Sequence, residues 1–175
     1  PITPRGIQRG MAEKLSTGVP ALDRRLGGGL HAGNVLAIVS SPATQSHALI
    51  HQLMHERPTV YISTIRSRDA IEDELEAFMA SDIPVTVEDV GEVATMNNRF
   101  LHELTGSRSY SVTTTEKDAL IDETYEAIQS VRGPANVVID PINPLERRDN
   151  RSAYQEVLNE LKDTVLKNGG LGVLH

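Results

Sequence analysis

Four apolar runs of strand length, separated by stretches of helical periodicity, limit what this chain can fold into. They lie at 34–39, 59–64, 137–140 and 171–174. Each is continuous rather than alternating, the pattern of a strand covered on both faces. Between them the period changes. Over 46–56, Leu49, Leu53 and Met54 recur at helical spacing, and over 69–79 Ile71, Leu75 and Phe78 share one side of an acidic helix. The segment 116–131 carries Leu120, Ile121, Ala127, Ile128 and Val131, and 152–167 carries Val157, Leu158, Leu161 and Val165. A short helix is expected over 20–26, with Pro20 in its first turn and three glycines ending it. Residues 84–87 read as one more short strand. Strands that alternate with helices need right-handed crossovers, so the expected fold is α/β, a central and mainly parallel sheet between two helical layers.

The 175 residues suffice for one domain with a sizeable core. Residues 1–14 are polar and read as a flexible lead-in, which leaves 15–175 as the domain; the stretch 81–115 carries little pattern. The sequence stops on an apolar strand, the pattern of a domain cut short at its C-terminus or of one whose later residues are disordered. No run approaches the roughly 20 apolar residues that span a bilayer. The first residues lack a secretory core, and there are no cysteines, which excludes disulfides and thiolate metal sites. A cytoplasmic protein is the expectation. The net charge of −7 argues against sequence-independent nucleic-acid binding, although Arg24 and Arg25, and Arg147 and Arg148, are adjacent. With 13 Arg against 4 Lys, the acidic, lysine-poor balance points to a high-salt or high-GC source.

One region is more specific. Leu15-Ser16-Thr17-Gly18, with Leu22-Asp23, is followed by Leu26-Gly27-Gly28-Gly29-Leu30 and Gly33. This order resembles the opening of RecA/KaiC/RadA-type ATPase domains, where such segments lead into the first core strand and then the phosphate-binding loop. The resemblance extends over nearly the whole chain and is weakest between 81 and 115. It implies a RecA-like three-layer sandwich and an acid at the end of the third core strand, a position that Asp140 fills.

The phosphate loop departs from that pattern. A loop of the form G-x-x-x-x-G-K-[ST] curls its N–H groups around phosphates, reaches them with lysine and holds Mg²⁺ with the hydroxyl. Here the eight positions read Ser40-Ser41-Pro42-Ala43-Thr44-Gln45-Ser46-His47. Ser40 and Gln45 replace the glycines, Ser46 the lysine and His47 the hydroxyl. Losing one charge-assisted bond to phosphate costs roughly 1.5–3 kcal/mol, before the missing metal ligand is considered. After the second strand, where relatives carry a base that activates water, the chain has Ile65-Arg66-Ser67-Arg68. The residues Ser40, Thr44, Gln45, Ser46, His47 and Asp140 are therefore read as a vestigial nucleotide pocket with no catalytic group and no resident cofactor or metal. A His47–Asp140 contact is expected to plug it.

His47, His51 and His55 fall at i, i+4 and i+8 along one helix face. Such a pair can bind zinc, but no cysteine completes the set and any carboxylate must come from another element. Chance placement on a polar face is the simpler account. Arg66 and Arg68 are read as solvated residues or an anion site, and Asp73, Glu74 and Glu76 as a solvated face. The functional expectation is a non-catalytic RecA/KaiC-like domain that regulates or scaffolds through a protein partner or a second copy of itself. Two alternatives stay open: a divergent ATP-binding protein with weakly held Mg-ATP, and a DNA-binding recombinase relative, which the charge disfavours.

Overall fold

The computed structural model describes residues 13–41, 44–78, 82–94, 96, 112–146 and 151–175, with the backbone alone for 112–118. The expected lead-in up to residue 12, Pro42 and Ala43, residues 97–111 of the featureless stretch, and the Arg147–Arg148 pair lie outside these residues.

Among the described residues the chain is an α/β fold, a five-stranded parallel sheet flanked by helices. In chain order the elements are β1 (Lys14–Leu15), α1 (Pro20–Arg25), β2 (Leu30–His31), β3 (Val35–Ala37), α2 (Ser46–Met54) and β4 (Thr59–Ser63). There follow α3 (Arg68–Phe78), β5 (Val85–Asp89), α4 (Val112–Ser130), β6 (Asn136–Asp140), α5 (Arg151–Asn168) and β7 (Gly172–Leu174). The sheet order is β3-β7-β6-β4-β5, every neighbour parallel.

Residue alternation along the strands sorts the core into two layers. Val137, Ile139 and Ile62 face one way, onto Ile121 and Ile128 of α4 and Val157, Leu161 and Val165 of α5. Tyr61, Val138, Leu171 and Val173 face the other, onto Ile50, Leu53 and Met54 of α2 and Ile71 of α3. Ile50, Leu53 and Met54 are wholly buried, each worth about 1.5–3 kcal/mol of transfer free energy. That burial fixes α2, and with it the position of its first turn.

The first apolar run corrects an expectation. It reads as a strand buried on both faces, yet β3 is short, Val35 is 37% exposed and Val39 is 95% exposed. The reason is position: β3 lies at the sheet's edge, with β7 on one side. The strand expected at 84–87 starts one residue later and runs two residues further, to Asp89.

Before the sheet, β1 and β2 pair antiparallel around α1. Asp23 closes this unit, accepting from Thr17 N at 3.0 Å, Thr17 Oγ1 at 2.7 Å and Ser16 Oγ at 2.9 Å. The Thr17 bonds are the main reason its carboxyl titrates below the usual range. Gly29 has φ 113°, and a Cβ there would overlap the Leu15 carbonyl.

A buried asparagine joins α2 to two strands. Asn136 is fully buried; its Nδ2 donates to Leu53 O at 3.2 Å and its Oδ1 accepts from Leu171 N at 3.1 Å. Truncation would strand a buried carbonyl and a buried N–H. Asn136→Ala is expected to lower stability by roughly 2–4 kcal/mol, read as a lower urea midpoint with little change in slope.

Candidate functional site

Parallel register sets the candidate site. Ser63 pairs with Asp140, Ile139 with Leu174, and Leu174 with Ala37, so four strands end level. Asp140 is the last residue of β6 and His175 follows β7. Asp140 has the parity of Val138, and His175 that of Val173, so both side chains emerge on the face covered by α2. Tyr61 pairs with Val138 and shares that face. The chain between β3 and α2 brings the first turn of α2, with His47, over the same strand ends.

Three side chains converge on the carboxylate of Asp140, whose side chain is 4% exposed. His47 Nε2 lies 3.0 Å from Oδ2 and His175 Nδ1 lies 2.7 Å from Oδ1. The Tyr61 phenol donates to Oδ2 as well. The imidazoles of His47 and His175 meet edge to face at 4.9 Å. Ser40 Oγ is 3.2 Å from His175 Nε2, which fixes that ring from its far side.

Burial opposes the Asp140 charge and by itself would raise the carboxyl's pKa. The Tyr61 and His175 hydrogen bonds and the positive charge available on both histidines outweigh it, and the carboxyl titrates below its ordinary value. For Tyr61 the same contact acts in the other direction. Burial first, then the Asp140 charge, push its phenol far above the usual tyrosine range. The phenol is therefore a permanent donor to the carboxylate.

Of the residues read as the vestigial pocket, Ser40, His47 and Asp140 are brought into one network. Thr44 turns back to donate to Ser41 O at 2.8 Å, and Gln45 precedes α2 without a side-chain cap bond; both are exposed. Ser46 opens α2 and is half-buried. The expected His47–Asp140 contact is present. Two partners escaped the sequence reading, Tyr61 and His175. Each lies in or just after an apolar run, and the usable signal was that His175 ends its strand as Asp140 ends its own.

The histidine stripe divides between two carboxylates. His51 Nε2 is 3.1 Å from Glu74 Oε1, and its ring stacks on that of His47 with centroids 6.5 Å apart. Burial lowers the His51 pKa, and the Glu74 charge opposes that shift. Glu74 also accepts from Arg66, so it is a half-buried partner and not part of a solvated face. Arg68 faces Glu88 at 3.6 Å and Glu72 at 3.8 Å. Arg66 is thus half-buried against Glu74, whereas Arg68 and both its carboxylate partners stay at the surface, as expected of a solvated residue. At the start of α3 the Asp89 carboxylate accepts from Arg68 N at 3.1 Å, occupying a helix start that could otherwise attract an anion.

The family described as "Family of unknown function (DUF7125)" matches residues 14–105 and 94–175. No curated protein matches the chain.

A carboxyl whose folded pKa is depressed stabilises the fold above its unfolded value and loses that contribution as pH falls through the folded one. The Asp140 contribution should hold at pH 5 and disappear only below about 3.9. Urea midpoints between pH 3 and 7, for the wild type and Asp140→Asn, test this. Tyr61→Phe removes a bond to a charged group and should cost roughly 1.5–3 kcal/mol at pH 7, with the far-ultraviolet spectrum unchanged.

Proposed function

We propose that this chain, which belongs to the DUF7125 family, is a RecA/KaiC-like domain without ATPase chemistry that regulates or scaffolds through a protein partner or a second copy. One observation carries the reading: His47 sits on Asp140 at 3.0 Å, where an Mg-nucleotide would need the same carboxylate. Asp140 is engaged on both oxygens by His47, Tyr61 and His175. A triphosphate there would meet neither lysine nor magnesium-binding hydroxyl, because Ser46 and His47 stand in those places. After β4, where relatives by that resemblance carry a carboxylate base, the chain has Arg66 and Arg68.

Support for a protein partner comes from the sheet's margins. Among the described residues β3 has no strand on its outer side; Val35 within it and Val39 just after it are exposed, and Leu166 of α5 is 62% exposed. At the other margin Ile65, Val93 and Met96 are exposed apolar side chains. Open edges and apolar side chains are what a pairing surface uses. Among the described residues no helix is long and apolar enough to cross a membrane. The absence of cysteine suits a reducing cytoplasm.

Calorimetric titration with Mg-ATP is expected to give no binding heat up to about 1 mM, equivalent to an affinity weaker than roughly −4 kcal/mol, and incubation should release no phosphate. Micromolar affinity for Mg-ATP would overturn the reading.

A further inference from the structure

We infer that His47, Asp140 and His175 form a binding site for a divalent first-row transition-metal ion, held without nucleotide. This goes beyond the scaffold reading, which requires no ion. The three residues come from separate elements: the first turn of α2, the end of β6 and the residue after β7. One ligand atom from each lies within 4.8 Å of the others. Convergence of two imidazoles and a carboxylate from distant parts of the chain is not produced by a local charge run.

The chemistry of the donors selects the ion. Two imidazole nitrogens and one carboxylate oxygen, with no thiolate, suit Zn²⁺, Co²⁺, Ni²⁺ or Fe²⁺. Mg²⁺ and Ca²⁺ prefer sets made wholly of oxygen. Three protein ligands leave at least one coordination position for water or for a group on a partner. His47 supplies the approach, since its side chain is 39% exposed while Asp140 is 4% exposed.

The surroundings already orient the ligands. Tyr61 donates to Asp140 and holds the carboxylate plane. His175 would coordinate through Nδ1 and keep its proton on Nε2, where Ser40 Oγ lies 3.2 Å away to accept it. Outer partners of this kind fix ring orientation and tautomer in metal sites. His47 would coordinate through Nε2 with its proton on Nδ1. The present N···O separations of 3.0 and 2.7 Å are hydrogen-bond lengths. Around a tetrahedral ion with bonds of about 2.0–2.1 Å, ligand atoms stand about 3.3 Å apart. These two contacts therefore lengthen by about 0.3 and 0.6 Å as the metal replaces the two N–H···O bonds.

The test is calorimetric titration of the chelator-treated chain with Zn²⁺, repeated with Mg²⁺, alongside thermal melting. Expected are one Zn²⁺ per chain, a rise in melting temperature of several degrees, and no response to millimolar Mg²⁺. His47→Gln and His175→Asn place an amide near the lost ring nitrogen and can keep a hydrogen bond to Asp140. Each should weaken Zn²⁺ binding at least about tenfold, while His55→Gln leaves it unchanged. Zn²⁺ affinity equal in all three variants, or no 1:1 binding in the wild type, would overturn the site. If the two cluster variants melt early without metal, the wild type's Co²⁺ absorption spectrum decides. An intensified visible band supports the site, and the spectrum of the aqueous ion overturns it. Mg-ATP binding is read separately, so failure here leaves the nucleotide-free reading standing, and the reverse.

Discussion

A carboxylate carried into the interior at the end of a central strand sets the terms for everything around it. Isolated burial of such a charge is prohibitively unfavourable, so it must collect donors, a cation or a proton. Asp140 collects donors: a phenol from the neighbouring strand, an imidazole from a helix start and an imidazole from the strand on its other side. Each donor belongs to a different element. The network therefore exists only when β4, β6, β7 and α2 are all in place, and breaking any one docking leaves a buried charge short of a partner.

The two layers of the sheet support that arrangement unequally. On the face of α4 and α5 the packing is apolar throughout its central strands, with Val137 and Ile139 fully buried. On the face of α2 and α3 the core is apolar in the middle and polar toward the carboxyl strand ends, where Tyr61 turns its hydroxyl outward to Asp140. Ligand chemistry in open parallel sheets gathers at this edge, because strand ends, loops and helix starts meet there. In this chain the edge is filled by its own side chains. That occupation links the proposed loss of nucleotide chemistry to the proposed metal site: both rest on His47 lying 3.0 Å from the Asp140 carboxylate.

Position within the sheet explains the largest departure from the sequence pattern. A continuous apolar run signals a buried strand, and that inference holds for β4 and β6, whose neighbours lie on both sides. It does not hold for the run at 34–39, because β3 occupies an edge and its side chains remain partly open. Hydrophobicity encodes a demand for burial, but not which neighbour meets it. The same run leaves exposed apolar side chains, Val35 and Val39, at that margin of the sheet.

The sequence by itself determined the helices and strands of the main sheet, their order and its parallel sense, though not the β1–β2 pairing before it. Periodicity and crossover handedness are local or near-local properties, so they can be read along the chain. It also located Asp140 and His47 and the absence of lysine and hydroxyl in the loop between them, since residue identity at fixed spacing needs no coordinates. Only the tertiary structure decided that Tyr61 and His175 join them, that His51 pairs with Glu74, and that Arg66 packs on Glu74 while Arg68 stays at the surface. These depend on strand register and sheet order, which bring Tyr61 and Asp140 together across 79 positions of sequence. A register shift of one residue would send the same side chains to the opposite face.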